Sequence, residues 1–286
     1  MPTLIPDPAF KGVCLIDFES MSADFNGTTP DMRQASLLLA RNDTALAQQQ
    51  YEAAARRFYE ATITLIRTLR PGCKLGWYGY PGCAISHTVL PQWRSYCDKH
   101  PGLCWFDQGG DGNGTGYLGP GAAAMRAIND KLGWLFSALD IITPSVYLGI
   151  APTPAGSNIS RHPQATRAHV GSCVREAVRL GLKAGKPVVP VTWLNYDNYW
   201  DKSINHSAPR ALETAVDAAI ELGEPFRSGA DGILIWGHLD NISGSTNNLH
   251  SYQSYSDTVL RSTVDNICRN YSCCMSLDGC WDKSGP

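Results

Sequence analysis

Five short apolar runs, each followed by a stretch with helical spacing, limit what this chain can fold into more than any other feature. The runs are 12–18 (GVCLIDF), 74–80 (KLGWYGY), 143–150 (TPSVYLGI), 187–195 (PVVPVTWLN) and 231–237 (DGILIWG). Helical patterns occupy 45–69, about 121–139, 163–185, 208–223 and about 250–267. The first carries an apolar stripe of Ala47, Tyr51, Ala54, Ala55, Phe58, Ala61, Leu65 and Leu69, and Pro71 stops it. Strands that are apolar throughout are buried on both faces, which calls for a parallel sheet covered by helices. The alternation therefore predicts an α/β fold with about five β/α units, the pattern from which a TIM-like (β/α) barrel is built. No repeat or linker divides the chain, so residues 1–267 read as one domain and 268–286 as a short Cys-rich tail.

The first run ends in two carboxylates, Asp17 and Glu19, separated by Phe18. Side chains alternate across a strand, so Asp17 and Glu19 face one way, roughly 7 Å apart, and Phe18 faces the other. Two carboxylates this close resist ionising together, which raises one pKa and keeps a proton donor available near neutral pH. The other runs end in Tyr78 and Tyr80, in Tyr147, in Asn195, Tyr196 and Asp197, and in Trp236. In a (β/α) barrel the C-terminal rim of the strands is where active sites form. A rim of acids and aromatic rings suits carbohydrate, whose faces stack on rings.

Composition narrows the alternatives. A net charge of −2 without a Lys/Arg run excludes a nucleic-acid footprint. No apolar run reaches the roughly 18 residues of a membrane span. Ten cysteines, none in paired zinc-type knuckles, favour disulfides over metal, so no metal or cofactor is expected. Asn26, Asn42, Asn113, Asn158, Asn205, Asn241 and Asn270 all begin glycosylation sequons, seven of thirteen asparagines. Both features point to the secretory route, although no signal peptide is visible at the N-terminus. G-x-S-x-G, HExxH and a Gly-rich phosphate loop are absent, so serine-hydrolase, zinc-protease and nucleotide chemistry lack support.

DFES (17–20), GWYGYPGC (76–83), NDKLGWLF (129–136), PSVYL (144–148) and GILIWG (232–237) resemble, in order and spacing, the hyaluronidases of animal venoms and vertebrate tissues. The helix QYEAAARRFYEATITLIRTLRP (50–71) is similar to the one that follows that family's catalytic strand. The resemblance implies a distorted (β/α) barrel that cleaves β-1,4 N-acetylhexosaminide bonds of hyaluronan or a chondroitin-type glycosaminoglycan. It implies catalytic roles for Glu19 as proton donor, Asp17 as its partner and Tyr147 as holder of the acetamido group. Substrate contacts are implied for Tyr78 and Trp236, and Ser145, Tyr80 and Asp197 are further candidates from their places in the motifs and at the strand ends. A carboxylate pair using Asp197 or Asp240 is the alternative chemistry, and an inactive carbohydrate-binding homologue the alternative function. The enzyme is expected to be a monomer, secreted or lysosomal.

The same resemblance implies about two β/α units ahead of the Asp17 strand, where this chain has some ten residues. An incomplete barrel is therefore expected, with strands 12–18 and 231–237 separated by a gap. Cys83 matches a family cysteine that staples the loop beside the active site, which implies a bond to Cys97 or Cys104. A second disulfide set is expected among Cys268, Cys273, Cys274 and Cys280.

Overall fold

A computed structural model of the chain describes residues 5–83, 117, 122–148, 163–196, 212–237 and 246–271. Its strands are β1 (Val13–Ile16), β2 (Lys74–Trp77), β3 (Val191–Trp193) and β4 (Leu234–Trp236). β1 pairs with β2 and β3 with β4, both parallel. The predicted third strand joins the two pairs by single bridges. Thr143 bridges to Tyr78, Ile142 to Val188 and Ser145 to Val191. The order across the sheet is thus β1, β2, the 141–148 segment, β3, β4, as an alternating β/α chain requires.

In the third and fourth runs proline shortens the ladders. Pro144 has no N–H to give, so the third segment contributes bridges rather than a continuous ladder. Pro190 delays β3 to Val191 in the same way, while its carbonyl still accepts from the Leu234 N–H at 2.9 Å. Gly76 matters for a different reason. A Cβ there would stand 2.9 Å from Ile141 Cγ1 and 3.0 Å from Thr143 Cγ2, so only glycine lets the third segment approach β2 this closely.

The helices are α1 (Pro30–Leu39), α2 (Thr44–Leu69), α3 (Ala122–Lys131), α4 (Gly133–Ala138), α5 (Pro163–Ala184), α6 (Ala215–Arg227), α7 (Thr246–Tyr255) and α8 (Arg261–Tyr271). A π-helical turn, Ser256–Leu260, joins the last two. Helix α1 lies where no helix was predicted; Thr29 caps it by accepting from the Met32 N–H. Helix α6 begins later than the predicted 208, because Thr214 is its N-cap and accepts from the Asp217 N–H at 3.2 Å. Helix α8 runs through Cys268 to Tyr271, past the predicted start of the tail.

Helix α2 carries a different stripe from the predicted one. Ala47, Tyr51, Ala55, Tyr59, Ile63 and Ile66 are buried, whereas Phe58 and Leu65 are exposed. Both sets satisfy the three-four spacing. Tyr59 decides between them, since its ring stacks on Trp77 at 3.9 Å and 15°. Around that pair, Leu75, Leu135, Phe136, Leu139 and Ile142 form the main core. Among the described residues β1 and β4 do not pair with each other, and Ile235 and Trp236 on β4 are exposed. No helix among the described residues is long and apolar enough to cross a membrane.

Candidate active site

The site is built outward from the end of β1. Ile16 is in register with Trp77, and the Tyr78 N–H donates to the Ile16 carbonyl at 2.9 Å, so Asp17 leaves the sheet beside Tyr78. Phe18 turns toward α2 and meets Phe58, ring to ring, at 5.2 Å. Alternation then directs Asp17 and Glu19 to the opposite side, and both are exposed. Trp77 likewise points to α2, which leaves Tyr78 on the carboxylates' side.

Tyr78 gathers the remaining groups. Its hydroxyl donates to Ser145 Oγ at 3.1 Å, and its ring lies 5.8 Å from that of Tyr147. Ser145 and Tyr147 are half-buried, while Val146 and Leu148 between and beyond them are fully buried. That alternation turns both polar side chains out of the core. Tyr147 lies 5.8 Å from Trp193, ring to ring, and Trp193 is in register with Trp236 on β4. Five segments of the sheet therefore bring Asp17, Glu19, Tyr78, Ser145, Tyr147, Trp193 and Trp236 to one end.

The electrostatics tie these groups together. Burial pushes the Tyr78 phenol up; hydrogen bonds to Ser145 and Tyr147 oppose this, and the charges of Glu19 and Asp17 add to it. Tyr147 is pushed up well beyond the ordinary phenol range, first by burial, then by Tyr78, with smaller contributions from Asp17 and Glu221. Both phenols remain protonated hydrogen-bond donors across the neutral range and cannot serve as bases.

Other rim residues are turned to structural work. The Tyr80 hydroxyl is shared with Tyr59 at 2.9 Å and accepts from the Ala23 N–H at 2.8 Å, which fixes the loop after Glu19 against α2. Its ring is half-buried and edge-on to that of Tyr59 at 6.0 Å. Asn195 and Tyr196, predicted at the rim, are buried instead. The Tyr196 hydroxyl donates to Asp217 at 2.5 Å and accepts from the Thr214 N–H at 2.9 Å, so it anchors the start of α6. Asp197 and Asp240 lie outside the described residues, as do Cys97, Cys104, Cys273, Cys274 and Cys280. Sequence reasoning missed Trp193, although its position two residues after Val191 on an apolar strand matches that of Tyr147 after Ser145. Among the described residues no group of histidines, cysteines and carboxylates could hold a metal ion.

The sequence profile of the hyaluronidase family matches residues 2–284. The chain belongs to the hyaluronidase family. It is 28% identical to human hyaluronidase-1 over 276 residues, covering 92% of this chain and 54% of the relative. It is 27% identical to the hyaluronidase of Apis mellifera over 282 residues, covering 93% and 62%. The chain thus spans about half the length of the human protein and somewhat more of the bee one. Among solved structures it is similar to bee venom hyaluronidase in complex with a hyaluronic acid tetramer, with a TM-score of 0.69 and 24% identity over 93% of this chain and 73% of the other. That likeness shows the fold, an α/β arrangement of the hyaluronidase barrel type.

Proposed function

We propose that this hyaluronidase-family chain is a retaining endo-β-N-acetylhexosaminidase acting on hyaluronan or a chondroitin-type glycosaminoglycan. The observation that carries the reading is the meeting of two exposed carboxylates, Asp17 and Glu19, with two protonated phenols, Tyr78 and Tyr147, on one side of the sheet. Glu19 gives its proton to the glycosidic oxygen as the bond breaks, with Asp17 as its partner. The substrate's own N-acetyl oxygen attacks C1, oriented by the Tyr147 hydroxyl, so the enzyme supplies no nucleophile. Glu19 then removes a proton from the incoming water, and two inversions give net retention. Ser145 and Tyr78 steady Tyr147, the buried Trp193 backs its ring, and the exposed Trp236 supplies a ring face for the sugar.

The tetramer held by the bee venom enzyme supports hyaluronan as the substrate class. Seven sequons and ten cysteines support an extracellular or lysosomal setting, and we read the protein as a monomer. That β1 and β4 do not pair with each other among the described residues supports an open barrel of about five β/α units.

The decisive experiment is a reducing-end assay on hyaluronan and chondroitin with the wild type and Glu19→Gln. The reading expects turnover to fall by at least about a hundred-fold with glycan binding retained. Near-normal turnover in the variant removes Glu19 as the donor. Binding without turnover in the wild type means a carbohydrate-binding homologue instead.

A further inference from the structure

Directly behind the candidate site, two thiols from distant parts of the chain meet in a dry cluster. Cys83 ends the turn Gly79–Cys83 that follows Tyr78, and Cys173 sits in the middle of α5. Their exposures are 6% and 0%. The Cys173 thiol donates to the Cys83 carbonyl across 3.9 Å, and the Cys83 thiol to the Pro81 carbonyl across 3.8 Å. The cluster that holds them also contains Val146 and Leu148, the two buried neighbours of Tyr147, together with Val170, Val174 and Tyr196. Both cysteines stand as separate thiols in the structure.

Nothing in this cluster asks for a thiol. Most of the surrounding side chains are apolar, although the buried Tyr117 phenol lies near both sulfurs and donates to the Gly82 carbonyl; burial together with the neighbouring Cys83 sulfur holds the Cys173 thiol far above the range in which it would be a nucleophile. A buried sulfur pair of this kind, in a chain with the sequons and cysteine content of a secreted protein, fits a covalent bond better than two inert thiols.

We propose that Cys83 and Cys173 form a disulfide that braces the turn after Tyr78 and the flanks of Tyr147 from behind. It forms during folding, before α5 closes over the turn. One cysteine, as thiolate, attacks a small-molecule or protein disulfide and releases one thiol of the oxidant. The second cysteine then attacks the resulting mixed disulfide and releases the other thiol. Two cysteine thiols become one S–S bond and the oxidant disulfide becomes two thiols, so two electrons and two protons pass to the oxidant. The bond closes a loop of 90 residues that contains Ser145 and Tyr147. This pairing differs from the one implied by family resemblance, Cys83 with Cys97 or Cys104. It leaves those two cysteines to pair elsewhere.

The test is disulfide mapping of the full chain secreted from a eukaryotic host, alkylated under denaturing conditions without reduction and digested with trypsin. Cys83, Cys97, Cys104 and Cys173 fall in four different peptides, residues 75–94, 95–99, 100–126 and 168–175. The expected product is 75–94 linked to 168–175, lost on reduction. A link from 75–94 to 95–99 or to 100–126, or alkylation of both Cys83 and Cys173, overturns the proposal. In Cys173→Ala, Cys83 should become fully alkylated, and a Cys83 that stays crosslinked overturns it equally. These readouts do not depend on turnover, so the disulfide can fail while the glycosidase reading stands, and the reverse.

Discussion

The Tyr78 hydroxyl donates to Ser145 Oγ across 3.1 Å, joining the end of β2 to the segment that carries Tyr147. A bond of this kind contributes about 0.5–1.5 kcal/mol, and each 1.4 kcal/mol at the transition state is about tenfold in rate. Ser145→Ala should therefore lower kcat/KM on hyaluronan by about tenfold or less and leave the melting temperature nearly unchanged. A loss above about a thousand-fold would give Ser145 a direct chemical role, and no loss at all would make the bond incidental.

Tyr147→Phe removes one hydroxyl and keeps the ring against Tyr78 and Trp193. If that hydroxyl orients the acetamido oxygen for attack, its contact is strongest at the transition state, and kcat should fall far more than affinity. Steady-state kinetics alongside equilibrium binding of a hyaluronan oligosaccharide separates the two. Weaker binding with unchanged kcat would count against substrate assistance.

Tyr59 is fully buried, stacked on Trp77, and its hydroxyl reaches the Met21 carbonyl at 2.8 Å and Tyr80 at 2.9 Å. Tyr59→Phe takes this donor from the Met21 carbonyl, while Tyr80 keeps the Ala23 N–H, and should cost about 1–3 kcal/mol. Tyr59→Ala adds a cavity and should cost about 3–5 kcal/mol. Denaturant midpoints measure both. A Phe variant as stable as wild type would mean that water replaces the hydroxyl.

Asp24 sits in the loop after Glu19, with its carboxylate accepting from the Gly27 N–H at 2.8 Å. Burial raises its pKa despite that bond, and the charge of Glu52 adds to the rise. A folded pKa above the unfolded one means a stability contribution that is present below about pH 4 and lost as the pH rises through the folded value. Asp24→Asn keeps an acceptor for Gly27 and loses the charge. The variant should gain thermal stability over wild type at pH 7, and the gain should vanish near pH 4. A constant difference across that range would remove the linkage.

The sheet ends make a prediction about motion. β3 is buried on both faces and flanked on both sides, whereas β4 is flanked by β3 alone among the described residues. Amides of 234–236 should exchange with deuterium at least about tenfold faster than those of 191–193. Equal protection would mean that another strand covers β4.

Much of the architecture was legible because strand and helix periods differ and the chain alternates them five times. The five apolar runs correspond to the five sheet segments, and their order in sequence is their order in space. The Asp17, Phe18, Glu19 alternation was legible for the same reason: a period of two leaves no other arrangement, and the contact of Phe18 with Phe58 agrees with it. Pro144 and Pro190 limited the ladders of the third and fourth runs, but a run of apolar residues does not reveal which N–H its neighbour needs. Helix α1 was missed because its stripe is weak and none of its residues is buried.

The sequence by itself determined periodicity, and with it the class of fold and the side of the sheet on which Asp17 and Glu19 emerge. Only the tertiary structure decided which of two equally periodic stripes on α2 is buried, because Trp77 offers a face to Tyr59 and none to Phe58 or Leu65. It also decided that Tyr196 serves Asp217 rather than the rim, that Trp193 stands beside Tyr147, and that Cys83 lies against Cys173. These are contacts between residues far apart in the chain. Local spacing cannot select among them, since the free energy that selects them comes from burial and hydrogen bonds that exist only once the segments are brought together.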